Sequence, residues 1–223
     1  MKFGVVCEGS NDFLALQEII GKIAAGRGIE ITAFDAIQPQ VDATSAKQIG
    51  GGGWHRVKVW LEDNSSAELK KVLTPQLFSR SQTYDVLVIH LDGDVVWLSD
   101  AFNTQERAAC FQRPDNVVAL VEKFIENTLS PPDDLDDHIL YAVPVMHTES
   151  WLVAASLSKP SRRNLEHAKI KKTAQRYLSR KYGLPLREAS LQAASKVAEN
   201  LTTLKSSFHS LDHFASKVSS IVG

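Results

Sequence analysis

Four stretches of the chain carry the short apolar, β-branched pattern of strands, and the segments between them repeat at helical spacing. Val86 to Leu91 is almost unbroken in its hydrophobicity, the mark of a strand buried on both faces. Lys2 to Cys7 and Ile29 to Phe34 read the same way, and His138 to Val145 alternates. Apolar residues at 13, 16, 19, 20 and 23 fall on one helical face, Val57, Trp60 and Leu61 share another, and Ala67 to Leu77 and Val117 to Leu129 follow suit. The order β-α-β-α-β-α-β predicts an α/β fold with a mostly parallel sheet of about four strands flanked by helices. Gln38 to Gly53 and Val95 to Pro114 read as irregular. Beyond Trp151 the pattern is helical throughout: an apolar turn to Leu157, then Arg162 to Tyr182, Leu186 to Leu204 and Leu211 to Val222. The expected division is an α/β domain over residues 1–157 and a helical region over residues 158–223 packed on it.

Composition narrows the class. With 223 residues, 43% hydrophobic and 23% charged, the chain suits one sizeable globular domain with an appendage. No apolar run approaches the roughly 20 residues that span a bilayer. No leader-like segment precedes the first strand, so a cytoplasmic location without membrane contact is expected. Cys7 and Cys110 form no metal-binding or disulfide spacing, and Cys7 reads as a small buried hydrophobe. The formal net charge of −1 hides an asymmetry. After Trp151 there are thirteen Lys and Arg against four Asp and Glu, so the first 151 residues carry a surplus of ten acids. An acidic body with a basic C-terminal region suits a metal site beside a phosphate-binding surface.

Parallel sheets collect chemistry at the C-terminal ends of their strands. Glu8 stands at the end of the first strand, Asp92-Gly93-Asp94 at the end of the third, and His147 and Glu149 at the end of the fourth. Side chains two apart on extended backbone point the same way, so Asp92 and Asp94 can converge. Two anions that close call for a cation, and a hard divalent ion such as Mg²⁺ or Mn²⁺ fits. Each residue also has a plainer reading. Asp12 or Asn11 can cap the first helix. Glu149 can be the first-turn acid that a helix dipole favours, and His147 can be structural. Trp54, Trp97 and Trp151 suit packing better than base stacking. Gly50 to Gly53 suits a hinge better than a phosphate cradle, and the acidic run Ser130 to Asp137 suits a solvated turn.

Val-Val-Cys-Glu8-Gly9-Ser-Asn-Asp12 followed by a helix, together with Val-Ile-His-Leu-Asp92-Gly93-Asp94, resembles the two signature motifs of the Toprim domain. That fold is shared by topoisomerases, primases, recombination-repair proteins and nucleases of the overcoming-lysogenization-defect class. The resemblance covers residues 2–145. His147-Thr148-Glu149-Ser150-Trp151-Leu152 and Ser210-Leu211-Asp212-His213-Phe214 are similar to an uncharacterised bacterial branch of Toprim-like proteins suspected of phage defence. The resemblance implies a Mg²⁺- or Mn²⁺-dependent nuclease that hydrolyses phosphodiester bonds of DNA or RNA, with a defence-system ATPase as a protein partner. Glu8 matches the Toprim general acid or base, or metal ligand, and Asp92 and Asp94 match the metal-binding pair. Asp12 takes the place of a further acid, and Glu149 is a candidate catalytic acid. Arg162, Arg163, Lys169, Lys171, Lys172 and Arg176 are the candidates for holding the nucleic-acid backbone. Two other classes stay open. One is a catalytically silent Toprim module that binds nucleic acid or a partner. The other is a haloacid-dehalogenase-like phosphohydrolase, whose Asp-x-Asp motif usually continues with Thr where this chain has Val96.

Overall fold

A computed structural model describes residues 1–38, 53–64, 66–74, 83–113, 115–157, 165–167 and 169–223. In chain order its elements are β1 (Lys2–Val6), α1 (Ser10–Gly26), β2 (Ala33–Gln38), α2 (Trp54–Asp63), α3 (Ser66–Leu73), β3 (Val86–His90), α4 (Val95–Leu98), α5 (Thr104–Gln112) and α6 (Asn116–Leu129). A 3₁₀ turn (Asp133–His138) then leads into β4 (Ile139–Ala142), α7 (Thr148–Ala154), α8 (Lys171–Tyr182), α9 (Leu186–Glu199), α10 (Leu201–Lys205) and α11 (His209–Ile221). The strands form one parallel sheet in the order β2-β1-β3-β4. The expected α/β architecture is therefore what the chain adopts.

Strand alternation divides the core in two. Phe3, Val5, Val86, Val88, Leu140 and Ala142 face one side, where Leu16, Ile19 and Ile20 of α1 meet them together with α7, α8, α9 and α11. Val6, Leu87, Ile89, Ile139 and Tyr141 face the other, under α2 to α6. Every residue of β3 is buried, as its continuous apolar run implies. The central position of β3 and β1 brings the ends carrying Glu8 and Asp92 side by side.

Several boundaries differ from the sequence pattern for identifiable reasons. The second strand begins at Ala33, four residues later than the apolar run Ile29 to Phe34 suggests. Ile29 and Ile31 instead pack against the core from the connector that follows α1. Residues 95–113 are ordered into α4 and α5, not irregular. Asn103 caps α5 by accepting from Gln105 N and Glu106 N, while Glu106 reaches back to Asn103 N, a capping box written in the sequence as Asn-x-x-Glu. The long C-terminal helical pattern breaks at Asn200, between α9 and α10. Of the glycine run, Gly53 lies at φ 94, a left-handed conformation that only glycine adopts readily, and its N–H donates to Glu8 O at 2.8 Å. Gly50 to Gly52, Arg162, Arg163 and the predicted end of a helix at Leu77 lie outside the described residues.

The helices after residue 170 complete the core of one sheet face. α9 runs along α1, and α11 packs on α1 and β4. Trp151 is fully buried there, stacked on Phe214 with ring centroids 6.0 Å apart, and its Nε1 donates to Ser210 Oγ at 3.0 Å. Buried Glu166 accepts from His209 N and Ser210 N, and so caps α11 from outside the helix. Across the sheet edge, Glu122 of α6 accepts from His213 Nε2 at 2.9 Å and Lys217 Nζ at 3.1 Å. Burial alone would raise the Glu122 carboxyl, but these two partners hold it below its ordinary value.

A carboxyl whose value is lowered in the fold stabilises the fold above its ordinary value, and that stabilisation is lost as pH falls through the folded value. Glu122→Gln should therefore lower stability by about 1–3 kcal/mol at neutral pH and shrink the loss of stability on acidification. Urea denaturation of both proteins at neutral and acidic pH measures this directly.

Candidate metal centre

Asp92 is the focus of the C-terminal edge. Its side chain is wholly buried, immediately beyond β3, and is met from four directions. Thr148 N, at the start of α7, donates to Oδ1 at 3.0 Å, and the Thr148 hydroxyl lies 3.3 Å from the same oxygen. Lys171 Nζ, the first residue of α8, donates to Oδ2 at 2.8 Å. His147 Nδ1 stands 3.4 Å from Oδ2 and 3.6 Å from Asp94 Oδ2, contacts too long for hydrogen bonds. Glu8, at the end of β1, is tied in through its Oε1, which accepts from Asp92 N at 2.8 Å.

Asp92 and Asp94 converge, though not by strand alternation. β3 ends at His90, and Gly93 and Asp94 form a turn in which Asp94 has helical backbone and precedes α4. The turn is packed against the chain after β4: Gly93 N donates to Pro144 O at 3.0 Å. A Cβ at position 93 would stand 2.2 Å from Val145 O and 2.6 Å from Pro144 O, so the glycine between the two aspartates is a steric requirement.

Two sets of ligating atoms lie close enough to hold an ion: Asp12, His90 and Asp92, and Asp92, Asp94 and His147. Each set holds a histidine with a buried, unpartnered Nδ1, but His90 is engaged through its other nitrogen. His90 Nε2 is 2.7 Å from Thr148 Oγ1. Burial lowers the His90 imidazole to about 4, so the ring is neutral at neutral pH. Thr148 Oγ1 thus stands between His90 Nε2 and Asp92 Oδ1, so the chain itself engages this side of the cluster. In the second set, His147 Nδ1 is buried and has no hydrogen-bond partner, an atom that calls for a proton acceptor or an ion.

The electrostatics express crowding. Burial would raise Asp92, but His147, Lys171 and His90 hold it well below the ordinary carboxylate range. The other acids go the opposite way. Burial and the Asp92 charge push Glu8 well up, raise Asp12 to about 7, and raise Asp94 and Glu149. Every acid of the cluster except Asp92 is thus pushed towards its neutral form by burial and by the neighbouring charge. The buried Asp and His groups can hold a metal ion.

The expected residues are distributed as follows. Glu8, Asp12, Asp92, Asp94 and Glu149 share one acidic neighbourhood. Asp12 is buried in the first turn of α1, three residues past the cap position, which Gly9 occupies; the Gly9 backbone and the Thr148 side chain act against the rise that burial imposes on its carboxyl. Glu149 is buried in α7 beside the cluster but belongs to neither ligand set; Gln175 Nε2 donates to its Oε1 at 2.6 Å, and its Oε2 has no partner. Lys171 points into the acids, whereas Lys172 and Arg176 lie exposed along α8 and line a groove of about 420 Å³ with Ser179 and Arg180. Lys169 Nζ sits 5.6 Å from the centre of the Trp97 ring. The acids Asp133 to Asp137, apart from the buried Leu135 among them, are exposed on the 3₁₀ turn. Three participants escaped the motif reading: His90, Thr148 and the inward role of Lys171. His90 is a polar residue in an otherwise apolar buried strand, which is the available signal.

Comparison of the chain with protein-family models, with curated proteins and with solved structures finds no match.

Gly93→Ala should destabilise the protein by about 1–3 kcal/mol or more, because the clash is with backbone oxygens that cannot rotate away. Thermal unfolding of the variant checks this, and Gly26→Ala, at a position where a Cβ meets nothing, serves as the comparison.

Proposed function

We propose that this chain is a metal-dependent phosphodiester hydrolase, a Toprim-type nuclease. The observation that supports it most is the convergence of Asp92, Asp94 and the unpartnered His147 Nδ1, with Glu8 contributed by the neighbouring parallel strand. Acids from two adjacent strand ends, one of them followed by a helix, are what the Glu8-Gly9 and Asp92-Gly93-Asp94 motifs lead one to expect of such an enzyme.

Asp92, Asp94 and His147 would hold the ion. An imidazole among carboxylates suits Mn²⁺ at least as well as Mg²⁺. The bound ion would supply charge neutralisation at the phosphate and an activated water. Glu8, whose carboxyl burial and Asp92 push well up, would be the acid that delivers a proton to the leaving oxygen. Thr148 and His90 fix the rotamer of Asp92, so that only its Oδ2 edge faces the open side. Nucleic acid is the substrate class favoured by charge. Lys172, Arg176 and Arg180 are four residues apart on α8 and so share one exposed stripe, which starts beside the cluster and suits a phosphate backbone.

One observation favours the second reading, a silent binding module. Lys171 already pairs with Asp92, so part of the negative charge is compensated without a metal. Cleavage assays with plasmid, single-stranded DNA and tRNA, in Mg²⁺, Mn²⁺ or EDTA, separate the two. The nuclease reading predicts divalent-dependent cleavage that falls about a hundredfold or more in Glu8→Gln and Asp94→Asn while the fold survives. Nucleic-acid binding that needs no divalent ion, with no turnover, would favour the silent module.

A further inference from the structure

The acceptor positions of Asp92 are nearly all taken, and this limits what the centre can bind. A carboxylate offers about four such positions. Thr148 N and Thr148 Oγ1 take those on Oδ1, and Lys171 Nζ takes one on Oδ2. What remains is the Oδ2 position on the side of Asp94 and His147. Lys171 sits on the same Oδ2, and after Asp92 the acids that hold its charge most are Glu8 and Asp12.

We propose that Lys171 is a built-in cation that stands where a second divalent ion would bridge Asp92 towards Glu8 and Asp12, so that the centre takes a single ion, between Asp92, Asp94 and His147. The inference rests on the metal-dependent reading of this site and specifies its stoichiometry. Two features set the position of the helix that carries the ammonium. Lys171 opens α8, whose Ala174 and Leu178 are anchored in the core. One turn on, Gln175 of the same helix is tied to Glu149 by a 2.6 Å hydrogen bond. The Lys171 side chain is itself 39% exposed, so its position reflects attraction to the acids rather than confinement. A lysine has the same charge sign as a metal ion but carries only donors. It can neutralise the Glu8 side of the cluster, yet it cannot activate a water as an ion does. The one bound ion would therefore supply that chemistry from the Asp94 side.

The test counts ions rather than turnover. Mn²⁺ is titrated into the metal-free protein and followed by electron paramagnetic resonance of the free ion and by calorimetry, with circular dichroism to confirm that each variant is folded. The wild-type chain should bind one Mn²⁺. Lys171→Met, which keeps the stem and removes the charge, should bind a second ion, and the pair should show the spin–spin broadening of neighbouring Mn²⁺ ions. Lys171→Arg should bind one. Asp94→Asn should weaken the single wild-type site at least tenfold. Two ions bound by the folded wild-type chain would overturn the inference while leaving the nuclease reading intact. A folded Lys171→Met variant that still binds only one ion would overturn it as well. Failure of the wild-type chain to bind Mn²⁺ at all would remove the metal-dependent reading and the inference with it.

Discussion

A fully buried carboxylate, Asp92, sets the terms for this molecule. An isolated anion in a protein interior costs many kcal/mol unless it is paired and hydrogen-bonded. The chain meets that cost with Thr148 N and Oγ1 at the start of α7 and Lys171 Nζ at the start of α8, with His90 of β3 and His147 close beside the carboxylate, while Glu8 of the β1 end accepts from the Asp92 backbone. The parallel order β2-β1-β3-β4 places the ends of β1 and β4 on either side of β3, and so Glu8 and Thr148 beside Asp92. The fold and the charged centre are thus one arrangement. Loss of the sheet order would strand the charge, and the charge in turn ties α7 and α8 to the sheet edge.

The same dependence explains why the C-terminal helices matter to the site. They cover the sheet face carrying α1, and α8 delivers both Lys171 and Gln175 to the acids. Glu166, from the segment before α8, caps α11, and Ser210 of that cap holds the indole of Trp151, three residues after Thr148 in chain order. Buried polar contacts therefore join Glu166, the start of α11 and Trp151 of α7, the helix whose first residue holds Asp92. Such networks specify one packing when every member is satisfied.

Much of the fold was legible because each strand is apolar and each helix amphipathic, signals local to the sequence. Glu8 and Asp92-Gly93-Asp94 were legible as strand-end acids for the same reason. The rest depends on three-dimensional placement. Gly93 is needed because of Pro144 and Val145, some fifty residues away, and the convergence of Asp92 with Asp94 comes from a turn rather than from extended backbone. Lys171 looked like one member of a basic surface run, and nothing in its neighbours distinguishes it from Lys172. Only the orientation of α8 turns one towards Asp92 and the other towards solvent. His147 and Thr148 were hard to read because a histidine at a strand end is more often structural, and a threonine after it is unremarkable.

The central claim is that the Asp92 Oδ2 edge, Asp94 and His147 form a metal centre. Anomalous diffraction at the manganese edge from crystals grown with Mn²⁺ tests it most directly. The account predicts a strong peak bounded by Asp92, Asp94 and His147 Nδ1. An empty centre, with manganese found only on exposed acids such as Asp133 and Asp134, would contradict it.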